Sequence, residues 1–124
     1  MMKWILLIVG GSIGTLSRYA LAGAVYRFSG GSFPYGTLVV NLSGCFFIGF
    51  LAALSAKKFL LGPDMRLFLM VGFCGAFTTF STFIFETDSL IKDGEFFRAM
   101  LNVVASVVAG FVVFRLGSLI GEFL

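Results

Sequence analysis

Histidine is missing from this 124-residue chain, so neither a Ser/His/Asp nor a Cys/His catalytic arrangement can be built from it. Cysteine occurs only twice, at Cys45 and Cys74. Each stands alone inside an apolar stretch without metal-ligand spacing, and both read as packing residues. Charge is scarce as well, with Asp, Glu, Lys and Arg making up 12% of the sequence. The nine basic residues exceed the six acidic ones, for a net charge of +3. They are scattered and form no stripe, which speaks against a nucleic-acid partner. Glu86 and Asp88 lie two apart, so on a helix they point to different faces and are badly placed for joint acid/base work. The chain reads as no enzyme.

What is abundant is apolar. Hydrophobic residues make up 59% of the chain, the mean hydropathy is +1.05, and such a sequence would precipitate as a soluble domain. A bilayer core of roughly 30 Å needs about 20 mainly apolar residues per helix. Four such stretches fit, at about 4–26, 35–56, 66–91 and 96–121. We therefore expect an all-α, multi-pass integral membrane protein, with residues 1–124 forming a single four-helix transmembrane domain. The short connections hold the turn-formers Gly30, Gly31, Pro34, Gly62, Pro63 and Gly94, so neighbouring helices should run antiparallel. Lys3, the run from Trp4 to Val9 and Ala20-Leu21-Ala22 imitate a signal peptide. Gly10, Gly11 and Gly14 interrupt that core and Arg18 precedes the would-be cleavage site, so we expect a retained helix.

Orientation is nearly balanced. One face carries Lys3, Lys57, Lys58 and Arg66 and the other Arg27, Lys92 and Arg98, a weak bias under the rule that places Lys and Arg on cytoplasmic loops. A chain so balanced is suited to inserting both ways up, two opposed copies pairing about an axis in the membrane plane. A fixed topology is the plain alternative.

Small and polar residues mark contacts. Gly10 with Gly14, and Gly117 with Gly121, have the spacing that lets helix backbones approach closely. Pro34 suits the first turn of the second helix, with Ser32 as its cap. Asn41 is the deep polar residue of that helix, and Asn102 and Ser106 form an i,i+4 polar stripe on the fourth. We read Asn102 mainly as a bond to a neighbouring helix. Of the 17 phenylalanines, Phe46, Phe47, Phe50 and Phe111 read as lipid-facing bulk.

The third stretch is different. From Gly72 to Phe83 it combines two glycines, four hydroxyls and four rings, which predicts a helix broken near residues 75–79. Backbone groups freed by a break in hydrocarbon survive only against protein or a polar cavity, so this is where an ion site is expected. Phe80 and Phe83 lie at i,i+3 and can face one way. At 1.5 Å per residue, Asn41 lies about 10 Å below the Pro34 end of its helix and Phe83 about 14 Å below the Lys92 end of the third, which gives them a common depth. The same arithmetic puts Arg18 and Glu86 toward one face, where they meet or share an anion-attracting vestibule.

Gly10-Gly11-Ser12-Ile13-Gly14 with Arg18, Gly36-Thr37-Leu38-Val39-Val40-Asn41, and Gly75-Ala76-Phe77-Thr78-Thr79-Phe80-Ser81-Thr82-Phe83 stand in that order over four helices. In this the chain resembles the Fluc-type fluoride channel family, the CrcB-like family. The resemblance implies a passive, fluoride-selective channel in the bacterial inner membrane, relieving fluoride toxicity. It also implies an antiparallel, dual-topology homodimer with two fluoride pathways and a structural, untransported sodium ion at its centre. Carried onto this sequence, Asn41 donates to fluoride, Phe80 and Phe83 line its path, and the Gly75 and Thr78 backbone carbonyls hold Na+. Thr79, Ser81 and Thr82 offer hydroxyls near the pathway, and Ser106 resembles a fourth-helix hydroxyl of the polar track. Gly110 departs from that track. The chemistry agrees, since amide and hydroxyl donors replace a small anion's water and aromatic edges attract it weakly. Rival readings are a small multidrug-type transporter, which needs a deep carboxylate absent from the first helix, a fluoride/proton exchanger using Glu86, and a purely structural membrane subunit.

Overall fold

The computed structural model describes residues 1–57 and 60–124; Lys58, assigned above to the first face, lies outside the described residues. Four helices are long and apolar enough to cross a bilayer, Met2–Ser29, Tyr35–Ala56, Pro63–Lys92 and Phe96–Phe123, hereafter the first to fourth spans. All run somewhat past their expected limits or match them. Helical hydrogen bonding continues through polar residues such as Lys3 and Arg27 where hydropathy has already fallen.

The ends obey local chemistry. The first span stops at Gly30, whose φ of 73° is a left-handed conformation that costs glycine little. Gly94, at φ 78°, closes the third span: its N–H donates to Ile91 O at 3.0 Å and that of Glu95 to Leu90 O at 2.8 Å. This pair of bonds is the Schellman arrangement. Two expectations fail at the second span. Pro34 is the residue before the helix rather than its first turn, and Ser32 makes no cap bond. The Ser32 carbonyl instead accepts from Arg98 Nη1 at 3.2 Å, joining the two connections on that face. At the opposite end, Lys57 Nζ donates to Glu122 O at 2.9 Å.

The second span packs mainly on the fourth, and the first on the N-terminal half of the third. Glycine sets both approaches. A Cβ at Gly10 would stand 2.6 Å from Phe68 O, and one at Gly14 would strike the Phe73 carbonyl. Likewise Gly117 abuts the Phe46 carbonyl, and a Cβ at Gly121 would lie 2.8 Å from Phe50 O. Backbone meets backbone at all four, so dispersion contacts rather than water exclusion hold these pairs together. Phe47 and Phe111 are exposed, as lipid-facing residues should be. Phe46 and Phe50 are only half exposed because the fourth span covers them beside Gly117 and Gly121.

The third span is interrupted. A short turn, Pro63–Arg66, leads into a wide π-helical stretch, Leu67–Cys74, and then one α-turn, Gly75–Phe77. Thr78 (φ −88°, ψ 156°) and Thr79 (φ −147°, ψ 115°) are extended, and the helix resumes as Phe80–Lys92. The break therefore occupies the last two residues of the expected interval. Gly75 stays helical at φ −62°, ψ −36°, and Gly72 lies against Gly10 and Gly11. Gly72 serves packing, whereas a Cβ at Gly75 would meet only Met70 O of its own span, at 4.0 Å, and the bend falls on two β-branched threonines, which lose side-chain freedom in a helix and accept extended backbone readily.

Candidate functional site

A break between two half-helices exposes C-terminal carbonyls on one side and N-terminal N–H groups on the other. Here each set meets a specific partner. Asn41, from the second span, bridges the gap: its Nδ2 donates to Thr79 O at 3.0 Å, and Thr79 N–H donates to its Oδ1 at 2.8 Å. Thr79 in turn caps the second half-helix, its Oγ1 accepting from Thr82 N–H at 3.3 Å and donating to Thr82 Oγ1 at 3.0 Å. The Ser81 hydroxyl lies 3.4 Å from the same oxygen.

These bonds decide which carbonyls are left over. In an unbroken helix Thr79 N–H would serve the Gly75 carbonyl and Thr82 N–H that of Thr78. Both donors are turned elsewhere, so the Gly75 and Thr78 carbonyls lose their helical partners. Ala76 loses its partner too but receives another, Arg18 Nε donating to Ala76 O at 3.1 Å. A guanidinium at the C-terminal end of a half-helix also opposes the partial negative charge there.

Arg18 and Glu86 do not pair. Arg18 is engaged by Ala76, while the Glu86 carboxylate accepts from Tyr26 Oη at 2.8 Å and from Thr37 Oγ1. Among the described residues the ion pairs are Lys92–Asp88 and Arg98–Glu95, both well exposed. Arg18 and Glu86 do line one cavity of 490 Å³, with Tyr26, Thr37, Thr79 and Thr82. A second cavity, of 320 Å³, is bounded by Asn41, Gly44, Gly75, Thr78, Thr79 and Phe80, among others. Thr79 belongs to both.

The rings of Phe80 and Phe83 stand 5.7 Å apart, tilted by 48°. Phe83 is buried at 7% exposure and Phe80 is bare at 74%. The structure thus brings Asn41, Thr79, Ser81, Thr82 and Phe80 to one break. Ser106, half-buried, makes no hydrogen bond to this group. Asn102, 2% exposed, donates to Thr87 Oγ1 at 2.9 Å, and Thr87 donates to Phe83 O at 2.7 Å. It bonds the neighbouring helix, as expected. Tyr26 and Thr37 were missed by sequence reasoning. Thr37 stands one turn before Asn41 on the same helix, a signal that could have drawn attention to it.

Known proteins resemble this chain over most of its length. Residues 5–118 match the family model described as CrcB-like protein, Camphor Resistance (CrcB). A protein of Desulforapulum autotrophicum named fluoride-specific ion channel FluC is 42% identical over 120 residues, covering 97% of this chain and 96% of its own. Proteins with the same name from Geobacter sulfurreducens and Chlorobium phaeobacteroides are 52% identical over 99 residues, 80% of each chain, and 46% identical over 108 residues, 87% of this chain and 84% of theirs. With its four membrane-length helices and a family match running through all of them, this multi-pass, non-catalytic membrane protein belongs to the CrcB-like family.

Proposed function

We propose that the chain is a passive, fluoride-selective channel by which a bacterial cell sheds fluoride across its inner membrane. It works as an antiparallel, dual-topology homodimer with two pathways. The observation that carries this reading is the Asn41 bridge over the broken third span. One Nδ2 hydrogen is taken by Thr79 O, which leaves the second free to donate to an anion. The N-terminus of the second half-helix, capped by Thr79, adds partial positive charge beside it. Fluoride shedding its water meets the Asn41 amide, the Ser81 and Thr82 hydroxyls and then the edges of Phe80 and Phe83, which attract it too weakly to trap it. Ser106 continues the polar line on the fourth span. Arg18 and the vestibule it lines raise the local anion concentration.

The residues also fit a structural sodium ion at the dimer centre. Among the described residues no group of three or more His, Cys, Asp or Glu side chains could hold a metal. The groups present are the two carbonyls released at Gly75 and Thr78, neutral oxygens at a half-helix end, which are the donors that coordinate Na+ at unwound membrane helices. Two carbonyls are too few, and an opposed second copy would double them. The bound ion would supply positive charge to offset the half-helix ends. The bare Phe80 ring, on the same cavity as these carbonyls, also supports a covering partner.

Fluoride efflux from proteoliposomes under a potassium/valinomycin clamp tests the function. A channel gives passive efflux that an imposed pH gradient leaves unchanged. Efflux that responds to the gradient would instead favour an exchanger using Glu86, which lines the vestibule, and no efflux would leave a structural subunit.

A further inference from the structure

The second span touches the break at two places, and only one of them is Asn41. Gly44, one turn further on and buried, faces Thr78. A Cβ built on Gly44 would collide with Thr78 Cγ2, and would also lie 3.5 Å from Thr78 Cβ and from Phe77 Cδ1. The Thr78 methyl thus lies on the bare Cα of Gly44. Its other branch is fixed as well, since Thr78 Oγ1 donates to Cys74 O at 2.9 Å. The hydroxyl bond sets the rotamer, and the rotamer aims the methyl at the one site on the second span with room for it. Thr78 is therefore gripped from both sides at the residue where the backbone becomes extended.

We propose that Gly44 is a positioning residue, a socket whose lack of a side chain fixes Thr78 so that the Thr78 and Gly75 carbonyls face the cavity they share. This inference rests on the sodium assignment above and deepens it, by naming what sets the direction of the coordinating oxygens. Asn41 turns the Thr79 N–H away from Gly75, and Gly44 seats the residue before it. Two positions one turn apart on one rigid helix then define the geometry of the whole break. Cγ2 sits directly on Cβ, so an alanine methyl at Gly44 cannot be avoided by bending a flexible tip. Either the backbone of Thr78 moves and carries its carbonyl with it, or the side chain rotates and gives up the hydroxyl bond that helps hold that backbone in place.

The test is a size swap read by sodium stabilisation. Purified full-length protein is melted in detergent over a titration of NaCl against N-methylglucamine chloride, without fluoride. The Tm rise with sodium gives the half-effect concentration. We expect Gly44→Ala to raise that concentration about tenfold or more, the usual cost of disturbing a residue behind a metal ligand. Thr78→Ser keeps the hydroxyl bond and removes the offending methyl, so the double variant Gly44→Ala/Thr78→Ser returns toward wild type. Should Gly44→Ala alone yield no folded protein, recovery of folded, sodium-responsive protein in the double variant carries the same meaning. Wild-type sodium response in Gly44→Ala, or a double variant no better than the single one, overturns the proposal. A wild-type protein whose Tm ignores sodium overturns the sodium assignment itself.

Discussion

Asn41 carries two tasks that can be separated by mutation, because its two ends do different things. Its oxygen and one N–H close the break against Thr79, and its second N–H is the one proposed to donate to the anion. Replacement by leucine strands a backbone N–H and a backbone C=O at about 1–3 kcal/mol each, or roughly 2–6 kcal/mol together. The lower figure of about 0.6 kcal/mol typical of membrane hydrogen bonds reflects unfolded helices that find other partners. The extended Thr78–Thr79 backbone has no such alternative while the rest of the fold holds. Asn41→Asp keeps an acceptor for Thr79 N–H, but its second oxygen faces Thr79 O in place of a donor and strands that carbonyl, at about 1–3 kcal/mol. The fixed charge, about 4 Å from a passing fluoride, opposes it by about 4 kcal/mol at an effective dielectric of 20, which is nearly a thousandfold in rate. Melting curves and electrode-monitored efflux from liposomes should therefore disagree for the two variants. Asn41→Leu loses both stability and flux, while Asn41→Asp loses the stability of one bond and a flux well beyond what that bond accounts for. Efflux from Asn41→Asp within about tenfold of wild type would refute the placement of Asn41 on the path, since that is a loss of only 1.4 kcal/mol. A fully stable Asn41→Leu would refute the bridge.

Phe80→Ile should lower efflux about fivefold, because it removes an aromatic edge of about 1 kcal/mol from the proposed pathway; unchanged efflux would take Phe80 off the route. Exchanging the charges, Arg18→Glu with Glu86→Arg, should give no more flux than either single change, since the two residues bond to different partners. Recovery in the double variant would show that they pair during conduction. Arg18→Ala leaves the Ala76 carbonyl unpaired and should cost about 1–3 kcal/mol in a denaturant melt. Asn102→Leu should cost about 1 kcal/mol of stability, and a double-mutant cycle with Thr87→Val should return a coupling of at least about 0.5 kcal/mol.

Much of this architecture was legible before any coordinates. Hydropathy alone located four spans, since the length of an apolar run is set by the bilayer and not by the details of packing. The glycine spacings at Gly10/Gly14 and Gly117/Gly121 pointed to contact faces because only a missing side chain allows such close approach. What stayed hidden was the choice of backbone partners. That Arg18 bonds the Ala76 carbonyl cannot be read from residue 76, because every residue offers the same carbonyl. Depth arithmetic therefore suggested the nearest acid instead. The break was placed among glycines and threonines together, and only packing separates the two. Gly72 is pressed against the first span, whereas Thr79 is drawn out of the helix by its paired bonds to Asn41. The caps failed for a similar reason. Ser32 has the right chemistry, but its carbonyl is drawn to Arg98 and its hydroxyl forms no cap.

The break persists because its ends are served by separate spans. The first span supplies Arg18 to Ala76 and the second supplies Asn41 to Thr79. Gly75 and Thr78 receive nothing in exchange for the donors they lost, and with Phe80 they line one cavity. Arg18, Thr82 and Glu86 line the other. Thr79 borders both, and Asn41 holds it through paired bonds that use both its N–H and its C=O. A wall built from bonded backbone is hard to displace without opening the helix. On the proposed route an anion entering past Arg18 meets this wall at Thr79 and the Asn41 amide before it reaches Phe80, whose cavity Gly75 and Thr78 also line. Bare carbonyls there would repel fluoride, so the proposed cation held on them would lower the barrier at that point. A cation held on those carbonyls by two opposed copies is, on this reading, what lets one interrupted helix accommodate both charges.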